Sequence, residues 1–170
     1  MTPVRIIGIG SPFGDDRLGW DVVDALEASG LLSGFAPAWV SANRCDRPGS
    51  ALLALTQGAE AIILIDAMRT GRAPGTICRL AIHELQAAAG VVSSHGLGVA
   101  ESLALGQALE LLPPTVAIYG IEAQQTAPES GVSLRASAAV PTLLQAIAAE
   151  LRALESIFHL PQPRRLQEAA

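Results

Sequence analysis

Ala61-Ile62-Ile63-Leu64-Ile65-Asp66 is the stretch whose reading decides the fold. Five apolar residues run together without polar alternation, and three of them are β-branched, so the segment reads as a strand covered on both faces. It ends on a carboxylate. Towards the N-terminus, Val4–Gly10 (VRIIGIG) is a second run of the same kind that stops at glycine. Leu18, Val22 and Leu26 then recur at i, i+4 and i+8, which predicts a helix over Leu18–Ser29 ended by Gly30. A strand is expected over Ala36–Ala42 and a short helix over Ser50–Gln57. Beyond the deciding stretch, Thr70–Gly75 reads as a turn and Thr76–Ile82 as a strand. His95–Leu112 reads as a helix stopped by Pro113-Pro114, and Thr115–Ile121 as the last strand. Leu143, Ile147, Leu151, Leu154 and Phe158 form a final helical stripe.

Strands alternating with helices imply right-handed βαβ crossovers. The expected fold is therefore α/β, a three-layer αβα sandwich around a mostly parallel, roughly five-stranded twisted sheet. The expected organisation is one domain over residues 1–158, with 159–170 as a flexible C-terminal tail. In such folds ligands gather beyond the carboxyl ends of the strands, so the residues just after each apolar run are the ones to inspect.

Composition narrows the chemistry. The 170 residues carry 11 basic and 16 acidic side chains, net −5, which argues against a nucleic-acid surface. Every basic residue is arginine. A phosphate-binding P-loop and lysine Schiff-base chemistry are both excluded by the missing lysine. Cys45 and Cys78 are too few for a disulfide framework and read as inert thiols. The opening MTPVRIIGIGSPFGDD lacks a signal-peptide layout, and no stretch is suited to spanning a membrane. A cytoplasmic protein is expected.

Three loops follow apolar runs and carry reactive groups: Gly10-Ser11-Pro12-Phe13-Gly14-Asp15-Asp16, Asp66, and Ser93-Ser94-His95-Gly96. The glycines at 8, 10 and 14 suggest a dinucleotide loop, but Asp15 and Asp16 stand where a pyrophosphate would rest on a helix N-terminus and would repel it. Each group also has a plain structural role open to it. Asp15 or Asp16 can cap the helix beginning near Leu18. Asp66 can accept backbone N–H groups of the turn Ala67–Gly71, and His95 can cap the helix it precedes. Taken together, Asp16, Asp66 and a neutral His95 form an O,O,N set suited to a divalent transition metal. His83 and His159 read as surface or capping residues, and no Gly-x-Ser-x-Gly elbow is present.

The order Gly8-Ile9-Gly10 … Gly14-Asp15-Asp16-Arg17-Leu18-Gly19, then Ile65-Asp66-Ala67-Met68, Ala73-Pro74-Gly75-Thr76, His95-Gly96-Leu97-Gly98 and Tyr119-Gly120-Ile121-Glu122, resembles the nickel–iron hydrogenase maturation endopeptidases. The resemblance runs from Val4 to about Leu154. It implies a cytoplasmic, monomeric α/β peptidase that clips a C-terminal peptide from the hydrogenase large-subunit precursor after nickel insertion. It also implies Asp16, Asp66 and His95 as the catalytic, metal-facing residues. The nickel is carried by the substrate, and other divalent metals suit the same donors. Hydrolysis would proceed by a metal-polarised carbonyl or by an Asp-activated water. The chain departs from the pattern at Ser11 (commonly asparagine), Asp16 (often glutamate) and Arg17 (commonly glycine). It departs also at Ser41–Gly49, where many members carry Asp-Gly-Gly-Thr. Two other functions use the same residues: a zinc-type metallohydrolase acting on a small substrate, and a non-proteolytic metal-binding chaperone or sensor.

Overall fold

A computed structural model describes residues 2–46, 48–87, 98–124 and 131–158. Five strands form one sheet: β1 (Val4–Ile9), β2 (Val40–Cys45), β3 (Ala61–Met68), β4 (Ile77–Leu80) and β5 (Thr115–Glu122), in the order β2-β1-β3-β5-β4. β4 runs antiparallel to β5, and the other neighbours are parallel. Among the described residues six α-helices accompany them: α1 (Leu18–Ala28), α2 (Ser50–Thr56), α3 (Ile82–Ala87), α4 (Val99–Ala108), α5 (Leu134–Ser137) and α6 (Val140–Phe158).

Alternate residues of the central strands feed two separate cores, as period-two geometry requires. Val4, Ile6, Ile63 and Ile65 meet Leu18, Val22 and Leu26 of α1 and Leu143, Ile147 and Leu151 of α6. Ile7, Ile9, Ile62 and Leu64 meet Leu52 of α2, Leu85 of α3 and Val99 and Leu103 of α4. All eight β3 residues are buried. The expected three-layer αβα sandwich with a mostly parallel five-stranded sheet is the architecture found.

The differences have local causes. The second strand lies at Val40–Cys45, not Ala36–Ala42, because Val4 pairs with Val40 and Ile9 with Cys45. As an edge strand it is only half covered, so Ser41, Asn43 and Arg44 fit there. The strand expected over Thr76–Ile82 stops at Leu80, and α3 starts at Ile82. There the Glu84 carboxylate accepts the Ala81 N–H at 2.7 Å, half of a capping box. Within the helix expected over His95–Leu112, α4 covers Val99–Ala108; residues 88–97 lie outside the described residues, as does the expected tail at 159–170.

Candidate active site

The strand order places a topological switch point between β1 and β3. From β1 the chain turns outward to β2 on one side, then returns to β3 and builds β5 and β4 on the other. Crossovers diverge there and leave a crevice beyond the strand ends. Asp16 follows β1 and Asp66 lies near the end of β3, so the two carboxylates come from adjacent parallel strands at that crevice. Gly8 pairs with Ile65, one residue short of Asp66. Asp66 falls on the same face as Ile62, Leu64 and Met68, towards the layer formed by α2 and α4.

Glycine makes the approach of α1 possible. A Cβ on Gly8 would lie 2.1 Å from the carbonyl oxygen of Gly19. One on Gly19 would lie 2.1 Å from the Ile9 oxygen and 2.8 Å from the Ile65 oxygen. The glycine pattern therefore serves close packing of α1 onto β1 and β3, with no phosphate involved. That packing puts the 3-10 turn Gly14–Arg17 directly over the strand ends. The loop into the turn is closed by Gly10 N–H donating to the Cys45 oxygen at 3.1 Å and Ser11 N–H donating to the Asp16 oxygen at 3.2 Å.

Asp15, Asp16, Asp66 and Glu122 are all buried. The Asp15 carboxylate accepts the N–H of Gln124 at 2.6 Å, the N–H of Ser133 at 2.5 Å and the Ser133 hydroxyl at 2.8 Å. It thereby joins the 3-10 turn to the segments after β5 and before α5. The expected capping role fails: the N-cap of α1 is Arg17 and no side chain caps that helix. The Asp16 carboxylate takes a hydrogen bond from the Ser11 hydroxyl. Arg17 is drawn outward onto α1, where its guanidinium meets Asp21 at 2.7 Å and Asp24 at 3.7 Å. The Asp21 hydrogen bond holds its pKa above the ordinary guanidinium value.

The turn after β3 is held from the end of β5. The N–H groups of Thr70 and Gly71 and the Thr70 hydroxyl all donate to Glu122, at 2.6 to 3.0 Å. Glu122, buried at the end of β5, thus holds the backbone of this turn. No local pattern could have found it, because its partners lie about fifty residues away.

His95 lies outside the described residues. α4, which begins four residues after it, starts at the same sheet edge: the Ser102 hydroxyl accepts the Gly49 N–H at 2.6 Å, and Gly49 follows β2. Among the described residues, no three His, Cys, Asp or Glu side chains group to hold a metal. His83 is exposed on α3, in keeping with its reading as a surface residue. Cys45 is buried and in no disulfide, and the Cys78 sulfur accepts from Arg72. An open groove of about 570 Å³, floored by Ala51, Ala54 and Leu55 and edged by Arg44 and Asp46, lies beside the end of β2. Among the described residues no helix is long and apolar enough to cross a membrane.

A sequence model of one family, described as HycI, hydrogenase maturation protease, matches residues 48–150. Among solved structures the chain is similar to the hydrogenase maturating endopeptidase HybD from E. coli. The identity is 24%, 91% of this chain and 94% of that chain are covered, and the TM-score is 0.76. It is similar to the [NiFe] hydrogenase maturation protease HybD from Thermococcus kodakarensis at 24% identity, covering 89% and 99%, with a TM-score of 0.65. It is similar also to that organism's HycI at 20% identity, covering 89% and 93%, with a TM-score of 0.66. No curated protein matches the chain.

Proposed function

The chain belongs to the hydrogenase maturation protease family and is a peptidase, and from that premise we propose that it removes a C-terminal peptide from the nickel-loaded precursor of a [NiFe] hydrogenase large subunit. Asp16, Asp66 and His95 read the nickel that the substrate presents. The observation that supports this reading is that two buried carboxylates, Asp16 in the turn after β1 and Asp66 near the end of β3, follow adjacent parallel strands at the switch point. Two carboxylates brought to one region by adjacent strands are stabilised by a divalent cation. His95 completes an O,O,N donor set from the segment that precedes α4.

The precursor's nickel is the recognition element. When it reaches Asp16 and Asp66, the scissile peptide is held beside the same carboxylates, so binding and chemistry share one geometry. Water adds to the scissile carbonyl carbon while a carboxylate of the site takes its proton. The C–N bond then breaks and the proton passes to the leaving amine. A nickel-free precursor lacks the contact that holds it and is passed over. The enzyme works on this reading as a cytoplasmic monomer, and the groove beside Arg44 and Asp46 offers the precursor chain a path to the crevice.

Asp66→Asn and His95→Ala variants test the assignment. Both are expected to fold with the wild-type circular dichroism spectrum and to leave nickel-loaded precursor uncut. Normal processing by either variant contradicts the assigned site.

A further inference from the structure

We propose that Ser11 is a positioning residue for Asp16, orienting its carboxylate towards the substrate's nickel; this rests on the reading of Asp16 as a nickel-facing residue. The main chain around Asp16 is held from both sides. Ser11 N–H donates to the Asp16 oxygen at 3.2 Å, and a Cβ on Gly10 would lie 2.5 Å from that same oxygen, so the loop is closed tightly. Asp15, the preceding residue, is pinned by Gln124 and Ser133. The side chain is then oriented by hydrogen bonding, and the Ser11 hydroxyl donates to Oδ2.

That bond has a consequence for recognition. A carboxylate can meet a cation with either oxygen or with both, and each choice places the cation differently. A hydroxyl donated to Oδ2 occupies a lone pair there and favours approach at Oδ1. Hydrogen bonds behind a metal-facing ligand fix its orientation and basicity, and their loss typically costs about 10- to 100-fold in affinity or activity. Ser11 stands outside the Asp16, Asp66 and His95 set, yet it decides how one member points. The chemistry required is a hydroxyl donor at this position, which threonine also supplies.

The experiment is steady-state processing of nickel-loaded precursor by the wild type and by Ser11→Ala, Ser11→Thr and Asp16→Asn, with the melting temperature of each. Ser11→Ala is expected to raise KM about tenfold, change kcat less than threefold and melt within about 2 °C of the wild type. Ser11→Thr is expected to restore KM to within about threefold, because the donor returns. Wild-type kinetics in Ser11→Ala, with Asp16→Asn inactive, would overturn the role of Ser11 and leave the reading of Asp16 intact. Equal impairment of the alanine and threonine variants would overturn it too, since the side-chain volume would then matter and the hydrogen bond would not. Normal processing by Asp16→Asn would overturn the reading of Asp16, and this inference with it.

Discussion

The Asp15 carboxylate accepts both the backbone N–H and the side-chain hydroxyl of Ser133, a residue 118 positions away, at 2.5 and 2.8 Å. Adjacent acidic residues at the head of α1 thus divide the work. Asp15 is an anchor that ties the turn to the far end of the chain. Asp16, beside it, accepts the Ser11 hydroxyl within its own loop. Three donors converge on the Asp15 carboxylate, which suits its anchoring role.

Asp15→Asn is therefore expected to destabilise the fold. An amide offers one acceptor oxygen where the carboxylate offers two, and its NH2 group would face donors. Hydrogen bonds to a charged group contribute about 1.5–3 kcal/mol each, so a loss on the order of 3 kcal/mol is expected. At this chain length that is roughly 6–12 °C in melting temperature. Asp16→Asn, which keeps an acceptor for Ser11, is expected to melt within about 2 °C of the wild type. Thermal unfolding followed by circular dichroism checks both, and equal melting temperatures for the two variants would contradict the division of roles.

Gly19→Ala is expected to be among the most damaging single methyl additions. Its Cβ would meet the Ile9 oxygen at 2.1 Å, with the Ile65 oxygen and Ile9 nitrogen at 2.8 Å, all backbone atoms of two central strands. α1 would have to lift off the sheet and carry Asp16 with it. Overpacking costs of about 1–3 kcal/mol are typical where side chains can yield, and backbone cannot, so a loss at or above the upper end is expected. Gly34→Ala is the control, since nothing lies within 4 Å of a Cβ there. Urea titration should find Gly34→Ala neutral or slightly stabilised, through its less flexible unfolded chain.

Which parts of this arrangement were legible in the sequence follows from distance along the chain. β1, β3 and β5 stand out because strands buried on both faces are apolar throughout, as Ala61–Ile65 shows. α1 and α6 stand out through their helical stripes, whose members Leu18, Val22, Leu26, Leu143 and Ile147 are all fully buried. β2 was misplaced because an edge strand carrying Ser41, Asn43 and Arg44 has no apolar run, and its register is set by pairing with Val4–Ile9. Asp16 and Asp66 could be singled out because each closely follows or ends an apolar run. The partners of Asp15 and Glu122 could not, since Ser133, Gln124 and Thr70 are brought to them only by the fold. Ser11 carries a faint signal, as a polar residue in the loop between β1 and the acidic turn.

Glu150 on α6 gives the stability a pH dependence remote from the site. Arg79 of β4 grips its carboxylate with two hydrogen bonds, at 2.8 and 2.9 Å, and the Tyr119 hydroxyl adds a third at 2.9 Å. The hydrogen bonds from Arg79, more than opposing burial, hold its pKa below the ordinary carboxylate value. A carboxyl group depressed by folding adds stability above its unfolded pKa and loses it as pH falls through the folded one. Glu150→Gln is expected to lower stability by about 0.5–1 kcal/mol at pH 7, because Arg79 is largely exposed. That gap should narrow below about pH 4 as the wild-type carboxylate protonates. A gap that stays constant from pH 7 to pH 3 would contradict the assignment.

The central claim is that this peptidase reads nickel in its substrate. The most direct test is the intact mass of a hydrogenase large-subunit precursor, nickel-loaded and nickel-free, after incubation with the protein. The account predicts loss of a C-terminal peptide from the loaded form alone. Cleavage of both forms alike, or of neither, would contradict it.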